Sequence, residues 1–430
     1  MRKETLKTKR RTLNEPVRPL PTERIELALR QGYGAPCRPV VEIDQRVSAG
    51  DLVARSEPES GMQLRIHASI AGLVTQIAPR PAPGGLMEDA IVIESDGSQE
   101  QVTIPVLDDE TPETICDVVK EAGIIGLGGA LFPTYLKLSL SPDDEVDSAI
   151  INGCECEAYL TGDYRVLIEQ SEDVADGLNL IRQATCAEHG YIVTGADMRE
   201  TTRNIEGLLN SGNGNQVVHL EHEGVIGYEK ILIRATLGRE VPFRKLPKDV
   251  AVVVQNVQTA AAISRAVRQG IPLTERVITV SGGAVARPGN YRVPIGAPLE
   301  KILEACEWEP KLTSAVIMGG PMMGMAVDDV QTATRKGTGG VLALTPEEVQ
   351  QLEEATCIRC GSCASTCPLG LVPVSIARLN SASPAALESL WADYCVECGE
   401  CEYACPSGQP LLEKMRAAKR VVMEAREAKL

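Results

Sequence analysis

Eight cysteines fall between Cys357 and Cys405 in two copies of one pattern, CIRCGSCASTCP and CVECGECEYACP. The spacing C-x2-C-x2-C-x3-C-P lets three thiolates on one loop grip three irons of a cubane, while the fourth, ahead of the proline, turns towards a second cluster. Each loop then serves both sites. The expected ligand sets are Cys357, Cys360, Cys363 and Cys405 for one [4Fe–4S] cluster, and Cys395, Cys398, Cys401 and Cys367 for the other. Gly361 and Gly399 leave room for backbone N–H groups to point at sulfide. The competing metal reading, structural zinc, needs four tetrahedral ligands and ordinarily uses C-x2-C pairs without this tripled spacing. Two neighbouring clusters form an electron path, so the rest of the chain must hold whatever feeds or drains it.

A second candidate lies at IIGLGGALFPTYLKL, Ile124 to Leu138. Glycines between two apolar runs allow close approach to the backbone and suit a phosphate or cofactor, although a tight turn between two packed elements has the same pattern. The other six cysteines (Cys37, Cys116, Cys154, Cys156, Cys186, Cys306) are scattered, and no secretion signal accompanies them, so metal or redox chemistry is favoured over disulfides.

The chain that must position these groups has 430 residues, 43% hydrophobic, 24% charged and 3% aromatic, with a net charge of -16. This is a globular composition that lacks the basic face a nucleic acid requires. No apolar run approaches bilayer length, so the protein is expected in the cytoplasm, at most peripheral to the inner face of the membrane. The basic start MRKETLKTKRR reads as a solvated, flexible tail over 1–24.

Residues 25–106 carry short apolar runs split by Gly, Pro and Asp, the pattern of a barrel-sandwich resembling lipoyl carriers. Its HASIAG stretch, His67 to Gly72, has no lysine for a swinging arm, so a docking platform is expected. From 110 to 270 strands alternate with helices, giving an α/β domain with a largely parallel sheet. Ligands of such sheets bind at the carboxyl ends of the strands, where Gly126–Gly129 and Asn152–Glu157 would lie. Residues 271–345 form a β-grasp-like module and connector, with two strands, a turn at Arg287–Asn290, a third strand and a helix over 275–306. Residues 346–430 form a helical two-cluster ferredoxin-like domain. It ends in a helix whose apolar Leu412, Met415, Val421 and Met423 are expected to pack. The fold class is multidomain α/β.

With these segments in this order, and with GGPMMGMAV (Gly319 to Val327) and KGTGGVLAL (Lys336 to Leu344), nearly the whole chain resembles the C subunit of the Rnf electron-transport complex. It is similar also to the flavin subunit of respiratory complex I, to cobalamin reductase and to the electron-transfer protein associated with proline reductase. The resemblance implies a non-covalent FMN, with Gly126, Gly128, Gly129 and Ala130 lining it, Phe132 closing the pocket and Lys137 meeting the phosphate. It implies Asn152, Glu155 and Glu157 as an acidic loop near the flavin ring and nicotinamide, Glu229 beside it, and Asn256 and Thr259 as further FMN contacts. The implied function is electron transfer between FMN, with NAD(H) as a candidate donor, and two [4Fe–4S] clusters. The partner is a redox protein, either membrane-bound Rnf-type subunits or a soluble reductase. A scaffold with structural metal sites and a closed flavin pocket is the alternative from another class.

The sequence departs from that pattern. Leu131 and Tyr228 stand where the family has glycine, Ala158 where it has proline, and the opening GGIHPPE is missing. Leu131 and Tyr228 are expected to fill space where a nicotinamide would lie, weakening direct NADH oxidation.

Overall fold

A computed structural model describes residues 7–57, 59, 61–106, 109–141, 144–198, 202–209, 214–221, 225–349, 353–379 and 383–427. Near the N-terminus, a four-stranded antiparallel sheet (order Arg24–Ala28, Leu86–Ser95, Gly72–Ala82, Arg46–Val47) faces a three-stranded one (Arg38–Pro39, Leu52–Arg55, Arg65–His67). Alternating inward residues such as Ile25, Leu27, Ile91 and Ile93 fill the space between them.

The next layer is a four-stranded sheet in which every pair is parallel: Asn215–Leu220, His189–Gly195, Ser148–Asn152 and Val252–Asn256. Apolar runs at 149–151 and 252–254 are buried in this sheet, as parallel strands covered by helices require. Helix Ser171–Thr185 meets Val257–Gln269 so closely that a Cβ at Gly177 would lie 2.1 Å from the Ala260 carbonyl oxygen. Barrel and parallel-sheet regions share one hydrophobic core, running from Ile25 to Ile295.

A six-stranded mixed sheet follows, in the order Val17–Pro19, Gly289–Pro294, Glu275–Ser281, Gly340–Leu344, Ala315–Met318, Met325–Ala326. Two of the expected strands are present over 275–306, Glu275–Ser281 and Gly289–Pro294, paired antiparallel ahead of helix Leu299–Ala305. The expected third strand is not formed there. Its place in the sheet is taken by Gly340–Leu344, from far along the chain, and by Val17–Pro19 at the edge.

Over the described residues 7–24, that edge strand corrects the reading of a flexible tail. Leu20 belongs to the core of the mixed sheet, Thr12 is fully buried and hydrogen-bonded to Thr161, and Arg11 donates to the carbonyls of Gly282 and Val285. The local charge density signals solvent, but Lys9 and Arg11 find carbonyl oxygens supplied by distant segments.

The cysteine-rich region is made of short helices around the 17-residue helix Leu411–Glu427. Met415 is buried in that helix as expected, but Val422 is buried and Met423 exposed, because the face is set by neighbours at Ile376, Leu387 and Ala392. A seam joins this region to the parallel-sheet region. Phe243 lies edge-on to Trp391 and Tyr394 at 4.4 and 4.8 Å, Lys230 sits 5.0 Å over the Tyr394 ring, and Arg244 pairs with Glu388.

Candidate flavin and iron–sulfur sites

Helix Pro112–Glu121 is capped by the Thr111 hydroxyl and buries Ile115, Val118 and Val119. It stops at Gly123, whose carbonyl is held by the buried Lys336 ammonium at 2.6 Å. The glycine loop starts here. Its neck is closed by hydrogen bonds from Gly126 N–H to the Phe132 carbonyl (2.9 Å) and from Leu131 N–H to the Gly126 carbonyl (3.1 Å). Gly128, Gly129 and Ala130 form an exposed tip, and Gly129 has φ +98°, a region that disfavours any side chain.

The loop stands over the carboxyl ends of two adjacent strands. Asn152 and Asn256 are register partners at those ends. The Leu127 amide donates to the Thr259 hydroxyl (3.0 Å), and a Cβ at Gly128 would lie 3.2 Å from Asn256. The Asn256 amide nitrogen donates to Asp163, while its oxygen accepts from Gln258 N–H and caps helix Val257–Gln269. Asn152 donates to the Gly227 carbonyl and accepts from Cys154 N–H, so it ties the acidic loop to the segment before helix Glu229–Leu237. Lys137 and Glu229 form an ion pair at 2.7 Å, and Lys137 also reaches the Val254 carbonyl.

In the acidic loop, the Glu155 carboxylate accepts from the amides of Asp163 and Tyr164. Burial raises its pKa to about 7, with Lys9 opposing and Asp163 reinforcing the shift. Lys9 itself hydrogen-bonds the Glu155 carbonyl. Lys9 and Asp163 went unnoticed in the sequence, the first within a run of exposed-looking basic residues and the second as an ordinary helix-start acid. Glu157 has both carboxylate oxygens on backbone amides, Met322 (3.0 Å) and Met323 (2.8 Å).

Phe132 lies edge-on to Tyr33 of the barrel at 6.0 Å. Leu131 takes the left-handed conformation, φ +53°, and its side chain turns away from the tip onto Gly337, where a Cβ would be 2.3 Å from Leu131 Cδ2. The Leu131 side chain thus packs against Gly337, a contact its place in the glycine loop does not announce. Tyr228 stands at the N-terminal end of helix Glu229–Leu237 without a side-chain capping bond, and its hydroxyl is shifted upward by burial and by Glu229, Tyr394, Cys395 and Cys398. This puts it on the side of the seam.

Cys367, Cys395, Cys398 and Cys401 line one pocket of about 350 Å³, partly open to solvent, with Gly399 and Leu412 in its wall. Cys363 and Cys405 are buried together beside Cys401, Cys357 is half-buried and Cys360 is exposed. Among the described residues no three such side chains converge on a single-ion position. Burial, and then the charge of their neighbours, raises Cys398 to about 11 and Cys401 to about 12. Ionising thiols crowded in this way requires a cation, which the irons of a cluster would supply, so the donor set fits a cubane.

The comparisons agree with this architecture. The sequence profile of the RnfC barrel-sandwich hybrid domain matches residues 4–98, the Nuo51 FMN-binding domain 119–265, the SLBB domain 277–326 and a 4Fe–4S dicluster domain 356–409. The fold and sites thus define an electron-transfer flavoprotein that carries FMN and [4Fe–4S] clusters.

The chain is 39% identical to the C subunit of the proton-translocating ferredoxin:NAD(+) oxidoreductase complex of Clostridium ljungdahlii, covering 87% of this chain and 82% of that one. It is 37% identical to the C subunit of the Na(+)-translocating complex of Acetobacterium woodii, over 83% and 81%. Crystal structures of an NAD+-reducing [NiFe]-hydrogenase share the fold, with a TM-score of 0.50 at 21% identity over 75% of this chain and 63% of that chain in the H2-reduced state. The chain belongs to the RnfC family, the C subunits of ion-translocating ferredoxin:NAD(+) oxidoreductase complexes. Among the described residues no helix is long and apolar enough to cross a membrane.

Proposed function

We propose that FMN seats on the loop tip at Gly126, Gly128, Gly129 and Ala130, above Asn152, Asn256 and Thr259, and that electrons pass between it and the clusters at the seam. The observation that carries this reading is the loop's anchorage to Thr259 at the carboxyl ends of paired parallel strands. Bound FMN supplies a centre that exchanges electrons in pairs on one side and singly on the other.

The chain's own residues prepare the site. Lys137 offers a cation for a phosphate, with Glu229 holding it in place until the ligand arrives. Phe132 and Tyr33 wall the tip, and the Glu155 carboxyl, pushed upward by burial, lies between Lys9 and Asp163 in the acidic loop. The pocket of Cys367, Cys395, Cys398 and Cys401 holds the inner cluster, next to the seam. Cys357, Cys360, Cys363 and Cys405 hold the outer one, whose exposed Cys360 and Ile358 face a redox partner. The relatives' naming supports a place beside the other subunits of an Rnf-type complex, at the membrane surface, with NAD(H) as the nicotinamide substrate.

Lys137→Ala removes a charge-assisted hydrogen bond worth about 1.5–3 kcal/mol. FMN affinity is expected to fall about tenfold or more, read by quenching of flavin fluorescence on rebinding. Unchanged affinity would reject this placement of the phosphate.

A further inference from the structure

Glu157 is the acidic-loop residue that the site leaves without a ligand to hold. Its two oxygens accept the amides of Met322 and Met323, 165 and 166 positions along the chain. Those amides lie in the turn between the paired strands Ala315–Met318 and Met325–Ala326. The fit is close: a Cβ at Gly320 would come 2.3 Å from Glu157 Oε2, so only glycine admits the carboxylate. On its other side the same turn touches the inner-cluster loop. A Cβ at Gly399 would lie 3.4 Å from the Met322 carbonyl oxygen and 3.7 Å from Met322 Cβ. Gly399, at φ +77°, follows Cys398 directly and lines the pocket with the four cysteines. The loop that leaves the strand end at Asn152 thus carries Glu157, whose carboxylate holds the turn, and Met322 of that turn lies against Gly399 in the wall of the inner-cluster pocket.

We propose that Glu157 is a positioning residue rather than a flavin or nicotinamide ligand: it latches the Gly320–Met323 turn between the flavin site and the inner-cluster loop and so fixes their separation. A carboxylate across two adjacent backbone amides makes two charge-assisted hydrogen bonds, strong enough to hold a short turn in one place. The inference rests on the placement of the flavin and inner cluster proposed above.

Two variants break the latch from opposite sides. Glu157→Ala removes the acceptor, and Gly320→Ala leaves the acidic loop intact but drives a methyl group into the carboxylate. Glu157→Gln keeps the shape and one acceptor oxygen. In the anaerobically prepared full chain, Glu157→Ala and Gly320→Ala should both speed hydrogen exchange at the Met322 and Met323 amides at least tenfold. Both should also alter the electron paramagnetic resonance line shape of the reduced inner cluster, and Glu157→Gln should restore part of each. Unchanged exchange in Glu157→Ala overturns the latch. So does a tenfold loss of FMN or NADH affinity in Glu157→Ala that Gly320→Ala does not share, since that marks a ligand contact. The exchange readout needs no flavin, so a failure of FMN to bind the unmodified protein would reject the flavin placement while leaving the latch result readable.

Discussion

The flavin region and the cluster region are built on different principles. Around the parallel sheet, Ile150, Ile151, Val252 and Val253 sit in cores continuous with the helices and the barrel, and the polar side chains of the site are bonded to one another before any cofactor arrives. The cluster region has a small apolar core, Leu371, Ile376, Leu387, Ala392, Met415, Ala418 and Val422, and beside it Cys363, Cys401 and Cys405 are buried with Leu411. One region obtains its shape from apolar burial and satisfied hydrogen bonds. The other obtains much of its shape from metal ligation, in which binding free energy is folding free energy.

The largest expected effect tests that division. Cys405→Ala removes the ligand that crosses from the second loop to the outer cluster, so iron content should drop by about half and the resonance of the outer cluster should disappear. FMN binding and the far-ultraviolet signal of the parallel sheet should persist. Loss confined to the inner cluster would refute the crossed ligation, and collapse of the flavin region as well would end the contrast.

A smaller effect comes from the self-built side. His67 is buried, its Nδ1 has no hydrogen-bond partner among the described residues, and burial, helped by Lys336 and Arg65, depresses its pKa to about 3. The folded state thus favours neutral imidazole. The associated stability is present above the unfolded value near 6.5 and is lost as pH falls towards the folded value. Between pH 8 and pH 5 this amounts to about 2 kcal/mol. Urea unfolding of the barrel and the parallel-sheet region that shares its core, at the two pH values, compared with a His67→Gln variant in which the difference shrinks, measures it. An equal pH dependence in the variant would remove His67 as the cause.

The smallest effect concerns Leu131. Because its side chain rests on Gly337, Leu131→Gly should change the rate of flavin bleaching by NADH by less than about twofold while relieving about 1 kcal/mol of left-handed backbone strain. A tenfold gain in anaerobic stopped-flow bleaching would show that the leucine does obstruct the pocket after all, and that the tip is less preformed than its bonding indicates.

Local patterns explain what was readable from the sequence. The cysteine spacing speaks for itself because three ligands of each cluster lie within seven residues, where chain geometry alone sets their reach. Alternation of apolar runs with helical stretches likewise announces a parallel sheet, and the glycine loop follows as its ligand-bearing turn. The contact of Leu131 with Gly337 was not legible because a residue's neighbours in sequence do not reveal which way a left-handed backbone aims its side chain.

The sequence by itself determined the class of cofactors and the order of the regions, since both are written in spacing and periodicity over short stretches. Tertiary structure alone decided that Lys9 leaves a basic run to meet the Glu155 carbonyl, that Val17–Pro19 joins a sheet formed by residues beyond 270, and that Glu157 is held by Met322 and Met323. The physical reason is common to all three. Buried cations, edge strands and carboxylates must find partners to offset desolvation, and the partners that close packing brings within reach lie more than a hundred residues away.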